Sequence, residues 1–143
     1  HGRSLYKANI APLQKMTKSV LATSTHVFAI AAVRKNSSWG RSWSPWRKAS
    51  TPEIKIPFYS KTDTKVAIGI YLGDLKVNAI SIAANSGFNE AIFDVSFSEK
   101  GKKAFEKANK KSDLKAAKNG VFYLIKGKYT VKTSFSESEF EIK

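Results

Sequence analysis

Between Ser37 and Lys48 the chain reads SSWGRSWSPWRK, a segment that holds all three tryptophans, Trp39, Trp43 and Trp46, with Arg41, Arg47 and Lys48 among them and no carboxylate. Indole and guanidinium planes at this spacing can stack on unpaired bases while the cations meet phosphates. The same residue types suit a membrane interface, where tryptophans sit at headgroup depth beside anionic lipids. They also suit a protein interface, where Trp and Arg are enriched among the anchors that carry binding energy. A fourth arrangement has the segment folding back so that the rings cap the chain's own sheet. Gly, Arg, Ser and Pro separate the tryptophans, so no regular apolar pattern marks them as interior.

No catalytic arrangement accompanies this segment. The chain has no cysteine, only His1 and His26 as imidazoles, and no GxSxG, Gly-rich phosphate loop or HExxH. Asp63, Asp74, Asp94 and Asp113 each have a turn, a strand face or a helix surface to explain them. Glu137, Glu139 and Glu141 alternate with Ser138 and Phe140, the pattern of one solvated strand face rather than of a metal cluster. His1-Gly2 offers an α-amine and an imidazole, the beginning of a copper brace that His26 could complete. HGRS reads equally well as a tag remnant or an arbitrary chain start, and His26 within STHVFAI as an ordinary half-buried histidine. A non-enzymatic binding protein is therefore expected, with no cofactor, no metal and no small-molecule substrate.

Charge narrows the partner. Lys and Arg outnumber Asp and Glu by 25 to 11, for a net +14 and a pI near 10.0 in 143 residues. Such an excess costs stability through self-repulsion and raises encounter rates with phosphate-rich surfaces. It is also unevenly spread: nine basic residues and no acid lie before Glu53, and every arginine lies before Lys48. The chain divides on this criterion into a basic Arg/Trp-rich arm, residues 1–51, and a mixed-charge α+β domain, residues 52–143. The boundary falls at ASTPEIKIP, where Pro52 and Pro57 disfavour helix before them. The body is expected to fold without the arm.

The elements that would carry these residues follow from periodicity. Pro12 fits a first helical turn, and Leu13, Met16, Val20, Val27 and Ala31 recur at helical spacing, which predicts a helix over 12–33. Its apolar run is too short and too interrupted to span a bilayer. Beyond the arm, EIKIPFY and KVAIGIYL alternate as half-buried strands, and Gly73-Asp74 suits a tight hairpin joining 65–72 to 75–83. AIFDVSF supplies a fourth strand with Phe93, Val95 and Phe97 on one face. A long helix is expected from a Ser98 cap to Asn119-Gly120, then a hairpin around Gly127 and a short last strand, EFEIK. The fold class is thus α+β: an antiparallel β-sheet in the order ββββ-α-βββ, packed against one long basic helix, with a basic and partly helical N-terminal arm.

Four stretches resemble known families or signals. FDVSFSEKGKKAFEKANKKS followed by VFYLIKGKYTVKTSF is similar to the periplasmic head of the SecD subunit of the protein-export machinery. There a strand precedes a G-x-x-x-F helix, here Gly101 to Phe105, and a DGK-like hairpin follows; Lys126 stands where that hairpin carries its acid. Four strands followed by a helix resemble the unit of PUR-type and Whirly-type single-stranded nucleic-acid-binding proteins. The acid-free Arg, Ser and Lys content of the arm resembles an organellar transit peptide, and MTKSVLATSTHVFAIAA resembles a short signal sequence.

The expectation drawn from all of this is a module that binds RNA or single-stranded DNA, as in an organellar ribonucleoprotein. Docking of the arm on another protein subunit or a membrane surface, including an extracytoplasmic one, is the alternative. The expected contact residues are Trp39, Arg41, Trp43, Trp46, Arg47, Lys48, Arg34 and Lys35 in the arm. On the helix they are Lys102, Lys103, Lys110 and Lys111, from a run that continues through Lys115 and Lys118.

Overall fold

A computed structural model describes Ile10, residues 14–110 and residues 114–143. His1, Pro12, Lys111 and Asp113, on which readings above depend, lie outside the described residues.

Two antiparallel sheets, face to face, make the body. β1 (Thr25–Val27), β2 (Ile54–Ser60) and β5 (Gly87–Phe93) form one, in the order β1-β2-β5. β3 (Thr64–Leu72), β4 (Leu75–Ala84), β6 (Gly127–Lys132) and β7 (Glu137–Ile142) form the other, in the order β4-β3-β6-β7. Among the described residues two short helices accompany the sheets, α1 (Lys18–Ala22) and α2 (Glu99–Ala108). The α+β antiparallel character expected from the sequence is present.

The core lies between the sheets because period-2 alternation turns one set of side chains inward on each strand. Ile54, Ile56 and Phe58 of β2 and Phe93 of β5 meet Val66, Ile68 and Ile70 of β3, with Tyr129, Val131, Phe140 and Ile142 from the last hairpin. Tyr129 and Phe140 stand opposite each other in register and stack at 5.3 Å and 15°. The Tyr129 hydroxyl donates to the Ile125 carbonyl at 2.9 Å, and burial pushes its phenol well above the ordinary value.

Several expected elements are corrected. The helix over 12–33 does not form: Thr23 ends α1 in an extended conformation, its N–H and hydroxyl both returning to the Val20 carbonyl at 3.0 and 2.6 Å. Thr25-His26-Val27, rich in β-branched residues, then pairs with Phe58–Ser60. The ladder stops at Val27 because the next pairing position on β2 is Pro57, whose carbonyl accepts from Phe28 N–H but whose nitrogen cannot donate. Val27 enters the main core, while Val20, Phe28 and Met16 cover Tyr59 on the outer face of β2. The sheet therefore crosses the charge boundary at 51/52.

The four strands expected before the helix, β2 to β5, do not share a sheet, and the order that resembled single-strand binders is divided between two. β5 ends at Phe93, not Phe97, because Val95 takes a φ of 59°, held where Asp94 Oδ1 accepts from Ser96 Oγ and Asn78 Nδ2 donates to the Ser96 carbonyl. Residues 121–125 contribute only a bridge from Tyr123 to Ser96. Gly127 opens β6 instead of sitting in a turn, and the second hairpin joins β6 to β7 through Thr133–Ser136.

The basic helix is short. Ser98 caps it, its hydroxyl accepting from Gly101 N–H at 3.0 Å, and it buries only Gly101 and Phe105 before ending at Ala108. The sequence that follows Ala108, Asn-Lys-Lys-Ser-Asp, holds no apolar residue that could extend the buried face of the helix. A bulge in β4 at Lys76 and Val77 directs the Val77 carbonyl to the backbone N–H of Ser98 at 3.0 Å. Gly101 packs directly on that carbonyl: a Cβ there would lie 1.8 Å from the Val77 oxygen.

Candidate functional site

The tryptophan segment is a closed loop docked on the body. It is reached by an extended stretch that runs parallel to β7, with Val33 N–H donating to Glu141 O and Lys35 N–H to Lys143 O. A turn follows, in which Ser38 N–H donates to Asn36 Oδ1, Trp39 N–H to Asn36 O and Arg41 N–H to Ser38 O. Gly40 N–H donates to Ser50 O at 2.7 Å and Ser50 N–H to Arg41 O at 2.8 Å, tying the two ends of the loop together. Gly40 is buried at a φ of 74°, and a Cβ there would lie 2.5 Å from both Ala117 Cβ and Asn119 Oδ1. Only glycine meets both conditions.

The three tryptophans then part company. Trp39 is half-buried and sets its ring edge-to-face against Tyr123 at 5.7 Å and 65°. Tyr123 is itself fixed by a hydrogen bond from Asn119 Nδ2 at 2.9 Å. Trp39 therefore holds the loop down, which is the capping arrangement in part. Trp43 and Trp46 stand at the tip with 94% and 93% of their surface in solvent. The tip is a turn closed by Arg47 N–H to Ser44 O at 3.1 Å, with Pro45 at its second position and the Ser42 hydroxyl donating to the Ser44 and Arg47 carbonyls. Internal hydrogen bonds thus shape the tip without covering either ring.

Two adjoining grooves flank the loop, and the first of them reaches from Trp43 at the tip to Lys118 on the body. Ser37, Ser38, Arg41, Ser42, Trp43 and Lys118 line the first, about 420 Å³. Arg34, Lys35, Asn36 and Ser37 line the second, about 380 Å³, and Ser37 belongs to both. No acidic residue lines either, and the remaining walls are hydroxyls and an amide. Lys35 reaches inward to donate to the Leu124 carbonyl at 3.3 Å; partial burial, and next the nearby Lys126 charge, lower its pKa from the ordinary lysine value.

Of the residues expected in contact with a partner, Arg34, Lys35, Arg41 and Trp43 are brought together along these grooves. Trp46, Arg47 and Lys48 are exposed on the same loop, and Trp39 serves as its anchor. The helix lysines stand apart. Lys102 holds its ammonium 3.5 Å from the Phe122 ring centroid and 3.9 Å from Glu106, while Lys103 and Lys110 are exposed on the body and line neither groove. Lys118, read as part of the helix run, lines the first groove instead; Asn119-Gly120 is the turn signal that takes it off the helix. His26 is half-buried, 5.1 Å from the Phe28 ring.

Among the described residues there is no group of three or more His, Cys, Asp or Glu side chains able to hold a metal, and no helix is long and apolar enough to cross a membrane. Compared with models of protein families and with curated protein sequences, the chain matches none.

Proposed function

We propose that the chain is a non-enzymatic module that binds RNA or single-stranded DNA through the Trp43–Trp46 tip and the adjoining grooves. The observation that carries this reading is the pairing of two fully exposed indole rings with a continuous acid-free lining of Arg34, Lys35, Arg41 and Lys118. Unpaired bases offer π-faces to Trp43 and Trp46, while the phosphates between them follow the cations into grooves whose serine hydroxyls and Asn36 amide can bond phosphate oxygens. A bilayer fits less well. Its acyl chains have no apolar floor to enter here, and Pro45 is the only other apolar side chain between the two rings. Stacking is tolerant of base identity, so weak sequence preference is expected.

The test is whether the full chain, purified at low salt, carries nucleic acid that is released by a high-salt wash, read from the ratio of ultraviolet absorbance at the nucleotide and protein maxima. Release of nuclease-sensitive material supports the reading. A clean chain that instead pellets with anionic vesicles, or co-purifies with one stoichiometric protein, supports docking on a membrane or on another subunit.

A further inference from the structure

β4 is the edge strand of its sheet, and most of that edge is open. On the inner side of the ladder Asn78, Ile80, Ile82 and Ala84 stand opposite Ile70, Ile68, Val66 and Thr64. The alternate residues turn their backbone groups away from β3: Val77 O accepts from Ser98 N–H, and Ala79 N–H donates to the Asn78 side chain. Further along, no strand pairs with Ser81 and Ala83 on this outward side among the described residues. Proteins ordinarily blunt such an edge with Lys, Pro or a bulge. The bulge at Lys76 and Val77, together with α2, does so at one end only. From Val77 to Asn89 the chain has no charged residue, although its net charge is +14.

The open segment, Ala79-Ile80-Ser81-Ile82-Ala83, reads the same in both directions. We propose that two copies of the chain pair through β4, antiparallel about a two-fold axis at Ser81, so that their two four-stranded sheets become one. In that register Ser81 faces Ser81 of the second copy as a hydrogen-bonded pair, because its N–H and C=O groups point outward, and Ala79 faces Ala83, whose N–H donates to the Ala79 carbonyl while Ala79 N–H keeps its bond to the Asn78 side chain. Ile80 meets Ile82 as a non-hydrogen-bonded pair, the geometry in which side chains approach most closely. Both isoleucines are half-buried in the single chain and gain cover from the pairing. On the other face Ala79, Ser81 and Ala83 are small and exposed, so nothing bulky obstructs the approach. Like-charged copies repel over most of their surface, and the uncharged edge is where they meet at least cost. The hollow between β4 and α2, about 520 Å³ and lined by Asn78, Ala79, Gly101 and Ala104 among others, lies at the end of the edge where the partner's strand leaves the pairing.

Two variants test the proposal in the full chain. Ser81→Lys places two ammonium groups face to face on the axis, yet in a single chain its side chain lies in solvent. Sedimentation velocity is expected to show a concentration-dependent dimer for the parent and a monomer with unchanged circular dichroism for Ser81→Lys. Ser81→Cys puts a single thiol on the axis of a chain without cysteine. A Cα separation of about 5.5 Å in a hydrogen-bonded pair falls within disulfide range. Oxidation to a covalent dimer is therefore expected on the order of tenfold faster than for Ser134→Cys, an exposed control, through the higher effective concentration in the pre-formed pair. A parent that stays monomeric at millimolar concentration, a dimer that survives Ser81→Lys, or Ser81→Cys oxidising no faster than the control overturns the proposal. So does a monomer that binds an extended peptide of another sequence along β4.

Discussion

Replacing Trp39 with Ala should damage the fold, whereas replacing Trp43 or Trp46 should not, although all three lie within one short segment. Truncating a fully buried Trp costs about 3–5 kcal/mol, so the half-buried ring of Trp39 accounts for roughly half of that. Loss of the edge-to-face contact with Tyr123, 5.7 Å between centroids, adds about 0.5–1.5 kcal/mol. The total is about 2–4 kcal/mol. At about 3 °C per kcal/mol for a chain of this length, it should appear as a fall in Tm of about 6–12 °C. Trp43 and Trp46, 94% and 93% exposed, should each change stability by no more than about 0.5 kcal/mol. Urea unfolding followed by far-ultraviolet circular dichroism measures all three with one probe, provided the m-value is unchanged. If Trp39→Ala is as stable as the parent, or if Trp43→Ala or Trp46→Ala falls by as much as Trp39→Ala, the division of the tryptophans into one anchor and two free rings is wrong.

Gly101→Ala should destabilise by at least about 3 kcal/mol, because a Cβ 1.8 Å from the Val77 backbone oxygen forces α2 off the β4 bulge; thermal unfolding checks it. A chain of residues 51–143 loses Val20, Val27 and Phe28, each contributing about 1.5–3 kcal/mol of burial, which is comparable with the whole stability of a typical domain. It should be largely unfolded by circular dichroism at 25 °C, and a cooperative melt would restore the charge boundary as a folding boundary. Lys35 has a lowered folded-state pKa, so as pH rises it releases its proton in the folded chain before the unfolded chain does, and stability rises through the window below its ordinary value of 10.5. Lys35→Met should thus be the more stable protein near neutrality, with an advantage that shrinks as pH rises toward the ordinary lysine value of 10.5. A difference independent of pH contradicts this.

The strands were legible where local pattern decides them. Ile54, Ile56 and Phe58, then Val66, Ile68 and Ile70, alternate inward as their spacing predicts, and Gly73 with a φ of 58° makes the two-residue turn expected of it. Ser98 is the cap it was expected to be. What failed depended on residues far apart in the chain. β1 exists because Thr25–Val27 finds Phe58–Ser60, and no periodicity over three residues announces that. α2 stops at Ala108 because only Gly101 and Phe105 find cover, whereas the lysines beyond it are equally good helix formers in isolation. At the site, the arginines and tryptophans were visible from composition. Which ring anchors and which remain free was decided by Tyr123 and Ala117, on a loop remote in sequence.

The central claim, that exposed indoles and an acid-free groove act together on a single strand, is tested most directly by salt dependence. The measurement is fluorescence anisotropy of labelled oligouridylate and oligothymidylate titrated with the parent chain, Trp43→Ala/Trp46→Ala and Arg41→Ala across a series of salt concentrations. For the parent, log K should fall linearly with log salt, at about 0.7 per phosphate neutralised. The tryptophan pair should lose about 1–3 kcal/mol per stacked base with the slope unchanged, because stacking releases no counterions. Arg41→Ala should lower the slope by about 0.7 as well as the affinity. Absence of binding at low salt, or tryptophan and arginine variants that bind as the parent does, would contradict the account.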